Sequence, residues 1–398
     1  MKRWTVVHAG GRDGYQLPIA FAEVGRLERF ITDWYTPLDR PAVGAVVRHL
    51  SGRAAEKLRA RFHPGLPSGL VADLKLATAN IWRTDGTAHE IGVQRQLGDC
   101  ARRWAESTDT AILSTSYYGW RAFAGPRRRS RGRVLFQIHP DPVYLRRLYG
   151  EIRTAQTPGY EGLNVELEVR APGDYFKEWS REASDADAVI VASAFTKRTL
   201  VESGVRPETI HLVHYGVDRC AFHEDEGCVR THPRLLFVGQ PTMRKGFSLL
   251  MASWRKVQRR GATLTVAGRS RIWLEDEWNV SWLPDLSREQ LAEEMRRSDL
   301  LVLPSIAEGF GHVIVEALAS GTPVLATSSS VGPDIITNGV NGYIIDPGNE
   351  DQLIDALQQA IDNVGRIRGM RKAAAASVNG WTWESFREGV RTVCDEYH

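Results

Sequence analysis

The chain has 398 residues, 42% of them hydrophobic and 25% charged, with a formal net charge of +3. That length exceeds what one small core holds, so two domains are expected, and the composition excludes disordered, collagen-like and disulfide-rich classes. No run of about 18 apolar residues reads as a membrane span, and the apolar part of the opening MKRWTVVHAGG is too short for a signal peptide. A cytoplasmic location is the resulting expectation. Cys100, Cys220, Cys228 and Cys394 form no CxxC pair and have no histidine at zinc spacing, so free thiols are expected. The charge is asymmetric: residues 1–215 carry 31 Lys and Arg against 24 Asp and Glu (+7), the remainder 20 against 24 (−4). A basic N-terminal half suits an acidic acceptor or peripheral contact with the inner face of an anionic membrane; the plainer alternative is a solvated arginine-rich surface.

In chain order, Thr5 to Ala9 is apolar and rich in valine, then Gly10-Gly11 turns the chain, and apolar residues recur at helical spacing from Leu17 to Leu27. Two adjacent glycines let a backbone approach a phosphate, although such a pair serves equally as a structural turn. From Pro37 to Asp85, prolines at 37, 41, 64 and 67 mark irregular connections. A helix from about His89 to Glu106 precedes a strand at Thr110–Ser114. Arg121–Arg133 holds six arginines in thirteen residues and reads as an exposed loop. With no interleaved aromatics to stack on bases, no nucleic-acid partner is expected. Val134–Ile138 is a buried strand, and His139 follows at its carboxyl end, where an open α/β sheet has its ligand crevice. A lone histidine is also commonly a structural hydrogen-bonding residue. Asp185 and Asp187 have the chemistry to hold a metal, but they lie at the amino end of the strand Ala188–Ala192, away from the crevice. A helix opens near Phe195, Ile210–Val213 ends this half, and the polar stretch Arg219–Pro233 reads as a linker.

The second half restarts with the strand Leu235–Val238 and a turn from Gly239 to Gly246 that carries Arg244 and Lys245. The helix Phe247 to about Arg259 follows. Two cations in a glycine-bounded turn at a helix N-terminus suit a diphosphate. Strands Leu264–Ala267 and Val280–Leu283 and the helix Arg288–Arg297 lead to PSIAEGFGHVIVEALASGTPVLAT, residues 304–327. There the strand Leu300–Leu303, a glycine-rich turn with Glu308, a helix carrying Glu316 and the strand Pro323–Ala326 make a βαβ unit. The amides of Gly309, Phe310 and Gly311 are expected to open that helix and to favour an anion. Helices at Gln352–Ile361 and Ile367–Ala376, and one more from Trp381, close the chain.

The stretches VGQPTMRKGF, SDLLVLPSIAEGFGHVIVEALASGTPVLAT and GPDIITNGVNGYIIDPGNEDQLIDAL resemble the retaining family 4 glycosyltransferases (glycosyl transferases group 1), which have the GT-B fold. The match is densest from Leu235 to Pro347 and includes two glutamates with seven residues between them. Residues 30–130 match no recognisable motif.

The resemblance implies an α/β chain of two facing Rossmann-like domains. Residues 1–218 would bind the acceptor, 219–233 link, 234–380 bind a nucleotide-sugar donor, and 381–398 form a helix returning to the first domain. It implies that Glu308 meets the donor sugar and Glu316 the ribose, that Lys245 and Arg244 meet the diphosphate, and that Gly10-Gly11 faces the phosphates. His139 would lie near the transferred sugar. Glu308, His139 and Lys245 are thus the expected catalytic residues. The arginine that usually follows the first glycine of the phosphate turn is replaced by Gln240, with Arg244 or Arg269 as substitutes. The implied reaction moves a sugar with retained configuration to a carbohydrate, lipid-linked or small-molecule acceptor, without a metal or other cofactor. A nucleotide-sugar epimerase and a catalytically inactive, partner-binding relative are the alternatives.

Overall fold

The computed structural model describes the chain apart from residues 1, 75–85, 127–130, 155–162, 164–165, 225–231, 258–260, 269–278, 284–285 and 398. Strands β1 (Trp4–Val7), β2 (Leu27–Thr32), β3 (Val71–Asp73), β4 (Ala111–Thr115), β5 (Arg133–Gln137), β6 (Ala188–Val191) and β7 (Ile210–Leu212) form one sheet, in the order β3-β2-β1-β4-β5-β6-β7. Strands β8 (Arg234–Val238), β9 (Thr263–Ala267), β10 (Val280–Leu283), β11 (Leu300–Leu303), β12 (Val324–Thr327) and β13 (Gly342–Ile345) form the second, in the order β10-β9-β8-β11-β12-β13. Every pairing is parallel. Helices cover both faces of such sheets, which is why β11 reads as an unbroken apolar run and β12 as one up to Thr327, and both are wholly buried. In each sheet the strand order reverses once, between β1 and β4 and between β8 and β11, and ligands bind doubly wound sheets at the carboxyl ends flanking that point. The expected pair of doubly wound units is present.

Three strands depart from the sequence expectation. The helix expected to run to Leu27 is α1 (Gln16–Ala22); Gly25, at φ +68°, turns the chain, and Arg26 N–H bonds back to Phe21 O at 2.8 Å, so Leu27 opens β2. Strands β3 and β13 are edge strands of three and four residues, too short for a clear period-2 pattern. The arginine-rich stretch is only partly loop: Arg121 lies in the helix Gly119–Ala122 and is held by Asp99 at 3.0 Å, while Arg133 opens β5. Residues 127–130, its most basic part, lie outside the described residues, as do Cys228, Arg269 and part of the expected linker. The helix expected at Ile367–Ala376 is two, Val364–Gly369 and Arg371–Ser377.

Helix α7 (Trp383–Glu396) opens on Thr382, whose hydroxyl accepts from Ser385 N–H, and returns to the first half. Phe386 is buried against Phe136 and Tyr215, with ring centroids 5.7 and 5.2 Å away, and Arg387 and Arg391 pair with Glu23 beside α1. No helix among the described residues is long and apolar enough to cross a membrane.

Candidate active site between the two sheets

Glu308 leaves β11 at the strand-order reversal of the second sheet. Its carboxylate is 7% exposed, and donors converge on Oε1: Lys245 Nζ at 2.7 Å, Ser305 Oγ at 2.9 Å and Arg244 Nη1 at 3.2 Å. The backbone is fixed from β12, since Glu308 N–H donates to Ser329 O and Thr327 Oγ1 donates to Ser305 O. The turn bearing the two cations lies directly beneath. Gly246 has φ +69°, and a Cβ there would stand 1.9 Å from Pro304 O, so only glycine lets that turn reach the β11 exit. Burial alone would raise the Glu308 pKa, but Lys245, Arg244 and Ser305 outweigh it and hold the carboxyl at about 2. A buried, permanently ionised glutamate with two cations on one oxygen is an acceptor of hydrogen bonds rather than a proton donor.

Arg244 faces the first half. Its Nε lies 3.3 Å from Glu166 Oε1, its Nη1 also donates to Ala307 O at 3.2 Å, and carboxylates on two sides push its pKa upward. The guanidinium therefore spans the cleft, whereas Lys245 stays with Glu308. Gln240 is exposed in the same turn.

His139 stands just past β5 and meets the turn after Glu308: a Cβ on Gly309 would fall 2.0 Å from Ile138 O and 2.9 Å from His139 Cα. Gly309 O accepts from Ser193 Oγ at 2.7 Å and Thr196 Oγ1 at 2.9 Å, at the start of helix α4 (Ala194–Glu202). Asp13 reaches His312 at 3.2 Å, and Asp334 reaches His214 Nε2 at 3.2 Å and Ala194 N at 2.8 Å. These contacts close the two halves over Glu308. His139 Nδ1 bonds Pro140 O at 2.8 Å, while its buried Nε2 has no partner among the described residues. Burial lowers its pKa to about 4, against the pull of the Pro140 carbonyl and helped by Arg12 and Arg244, so the ring is neutral. With Nδ1 as the donor, Nε2 is a bare, buried acceptor.

The glycine turn has structural grounds of its own. Gly10 adopts φ +77° and donates its N–H to Asp33 at 2.7 Å, and a Cβ on Gly11 would meet Ala60 O at 2.7 Å. The helix after Glu308, α6 (His312–Ala319), starts after the three residues expected to open it, with Gly311 as its left-handed cap. The amides of Gly309, Phe310 and Gly311 donate to no described backbone group. Glu316 lies on α6 away from the Glu308 cluster; burial raises its pKa, opposed by His312 and Arg288, with Asp218 adding to the rise. The amino-end aspartate Asp187 accepts from Arg133 N–H at 2.9 Å, which is a structural role. Among the described residues no cluster of three His, Cys, Asp or Glu side chains is arranged to hold a metal. The sequence assigns no role to Glu166, Asp13, His312, Ser193, Thr196 or Asp334, although His312 and Asp334 lie inside the family-like stretches, because each acts through a partner distant in sequence.

Residues 218–377 match the family described as glycosyl transferases group 1. The chain is 27% identical over 252 residues to a D-inositol 3-phosphate glycosyltransferase of Segniliparus rotundus, covering 55% of this chain and 56% of that one. It thus spans about half the length of the curated relatives it matches. Over its full length it superposes on sucrose-phosphate synthase from Thermosynechococcus elongatus with a TM-score of 0.72 and 17% identity, covering 99% of that chain. It superposes on an Anabaena protein solved with UDP-glucose with a TM-score of 0.61 and 14% identity, both chains covered in full. These likenesses establish the GT-B fold, and the stretch that matches the group 1 family holds Lys245, Glu308 and Glu316.

Proposed function

We propose that the chain is a retaining family 4 glycosyltransferase that moves a sugar from a nucleoside diphosphate sugar to an acceptor hydroxyl, in polysaccharide, glycolipid or glycoconjugate synthesis. The observation that carries this reading is the buried, ionised Glu308, clamped through Oε1 by Lys245 and Arg244 just past the carboxyl end of β11, with the next residue, Gly309, packed on His139. On this reading Glu308 Oε2 accepts from hydroxyls of the donor sugar, and Glu316 accepts from the ribose. Lys245 and the amides of Gly309, Phe310 and Gly311 take the diphosphate, with Gly10-Gly11 closing over it and His139 beside the transferred sugar. The bond from the anomeric carbon to the diphosphate breaks through an oxocarbenium-like transition state. The acceptor oxygen bonds on the same face, and its proton passes to the departing phosphate. Lys245 and the amides stabilise the charge that grows on that phosphate, so the step needs no metal. Work at the cytoplasmic face of a membrane, with the basic first half toward anionic lipid, fits this reading.

Thermal shift with UDP, GDP, ADP and TDP tests it. One diphosphate is expected to raise the melting temperature, since a ligand at 100 times its Kd stabilises by about 2.7 kcal/mol, and Lys245→Ala should abolish the rise. No shift with any of the four would point instead to an inactive relative that binds a partner. NMR of a donor incubated alone separates transfer from epimerisation, which would change the sugar without an acceptor.

A further inference from the structure

The end of β4 holds an unusual backbone. Tyr117 adopts φ +81°, a left-handed conformation that a bulky aromatic residue rarely takes and that surrounding structure must enforce. Both of its peptide groups are pinned. Tyr117 N–H donates to Glu182 Oε1 at 2.9 Å, and Tyr117 O accepts from Trp120 Nε1 at 2.9 Å. Glu182 is 1% exposed and gathers two more donors, Trp179 Nε1 at 3.1 Å on Oε1 and Trp120 N–H at 3.3 Å on Oε2. One buried carboxyl group, its pKa pushed up to about 8 by burial, therefore sets both the strained Tyr117 and the indole of Trp179. Those two rings are the ones packed on His139: Tyr117 at 4.4 Å between centroids and Trp179 at 5.6 Å, with the two stacked on each other at 5.2 Å. With the Nδ1 contact to Pro140 O, this aromatic wall holds the imidazole in one orientation, its buried Nε2 without a partner among the described residues.

We infer that Glu182, acting through Tyr117 and Trp179, is a positioning residue that holds His139 Nε2 as a fixed, neutral hydrogen-bond acceptor for a hydroxyl of the sugar being transferred. This rests on the glycosyltransferase reading for the identity of the hydroxyl, while the aromatic wall itself does not. Glu182 touches no substrate; its effect is confined to where the imidazole points and how dry it stays.

The test compares Glu182→Leu and Glu182→Gln in the full chain. Glutamine keeps an oxygen for Tyr117 N–H and Trp179 Nε1 and opposes the Trp120 and Gly119 N–H groups on the other side, so it is the conservative variant. Imidazole NMR should find His139 in Glu182→Leu titrating nearer the ordinary histidine range and exchanging tautomers, with Glu182→Gln close to the parent. In sugar transfer, Glu182→Leu should lower kcat on the order of tenfold with donor KM unchanged. In a His139→Ala background the same change should have no further effect on kcat. If Glu182→Leu does not fold, Tyr117→Leu removes the ring contact while Glu182 stays in place, and the same shift in the imidazole signal is expected. An unchanged His139 signal in the folded variants, or an equal loss of kcat with and without His139, would overturn the inference. Full transfer by His139→Ala alone would instead refute the role given to His139, leaving the NMR result to judge the wall.

Discussion

Replacing Gly309 by alanine tests whether the two halves meet where the structure closes them. Gly309 is not in a left-handed conformation, so alanine costs nothing in backbone strain and the whole effect comes from contact. The new Cβ would stand 2.0 Å from Ile138 O, and backbone atoms cannot yield as a side-chain tip can. Restoring an ordinary separation moves the Glu308–Gly311 turn away from the first half by about 1 Å, the scale at which misplaced groups cost on the order of 100-fold in rate. The same shift stretches the bonds from Ser193 Oγ and Thr196 Oγ1 to Gly309 O, worth about 1–3 kcal/mol together. Urea unfolding and sugar-transfer kinetics should both register the change. Gly365→Ala is the control: its Cβ meets nothing within 4 Å in a helix, so it should be neutral or slightly stabilising. If Gly309→Ala matched the parent in stability and rate, the halves would not be in contact at Glu308.

Three further outcomes are expected. Glu308 is held at about 2 against an ordinary 4.5, so its ionised form contributes on the order of 3 kcal/mol that is present above 4.5 and lost as pH falls toward 2. Urea midpoints followed downward from about pH 6 should fall more steeply for the parent than for Glu308→Gln, and parallel slopes would contradict the buried clamp. The His139 imidazole should titrate in NMR near 4 rather than 6.5, because burial disfavours its charged form; stability from its neutral form is full above 6.5 and lost as pH falls toward 4. A midpoint near 6.5 would mean a solvated ring. Phe386→Ala should cost about 3–5 kcal/mol by thermal or urea melt, since its ring is buried against Phe136 and Tyr215, and a near-neutral result would mean that α7 does not dock on the first half.

Much of the second half was legible in the sequence because its signals are local. Leu300–Leu303, Glu308, the glycines and Val324–Thr327 lie within 28 residues, and their order alone implies a βαβ unit with its crevice at Glu308. The first half was less legible. Leu27–Thr32 continued an apolar spacing that also fits a helix, and only the left-handed Gly25 separates the two elements. Arg244 reads as a phosphate ligand from its turn, and the turn does not reveal its two carboxylate partners, Glu308 and, in the other half, Glu166. The clasp of Asp13 with His312 and of Asp334 with His214 and Ala194 is equally invisible, because neither partner has a spacing that points to the other. The strain at Tyr117 could not be read from Ser-Tyr-Tyr-Gly, since it exists only once Glu182 is buried beneath it.

The central claim is that Glu308 is the donor-sugar contact of a glycosyltransferase. The most direct measurement pairs donor consumption in the presence of an acceptor with calorimetry of the nucleoside diphosphate, for the parent and Glu308→Gln. The account predicts sugar transfer by the parent and a loss on the order of 100-fold or more in the variant, with nucleotide affinity kept within a few fold because Lys245 and Glu316 remain. Transfer that survives in Glu308→Gln with nucleotide affinity unchanged would contradict it.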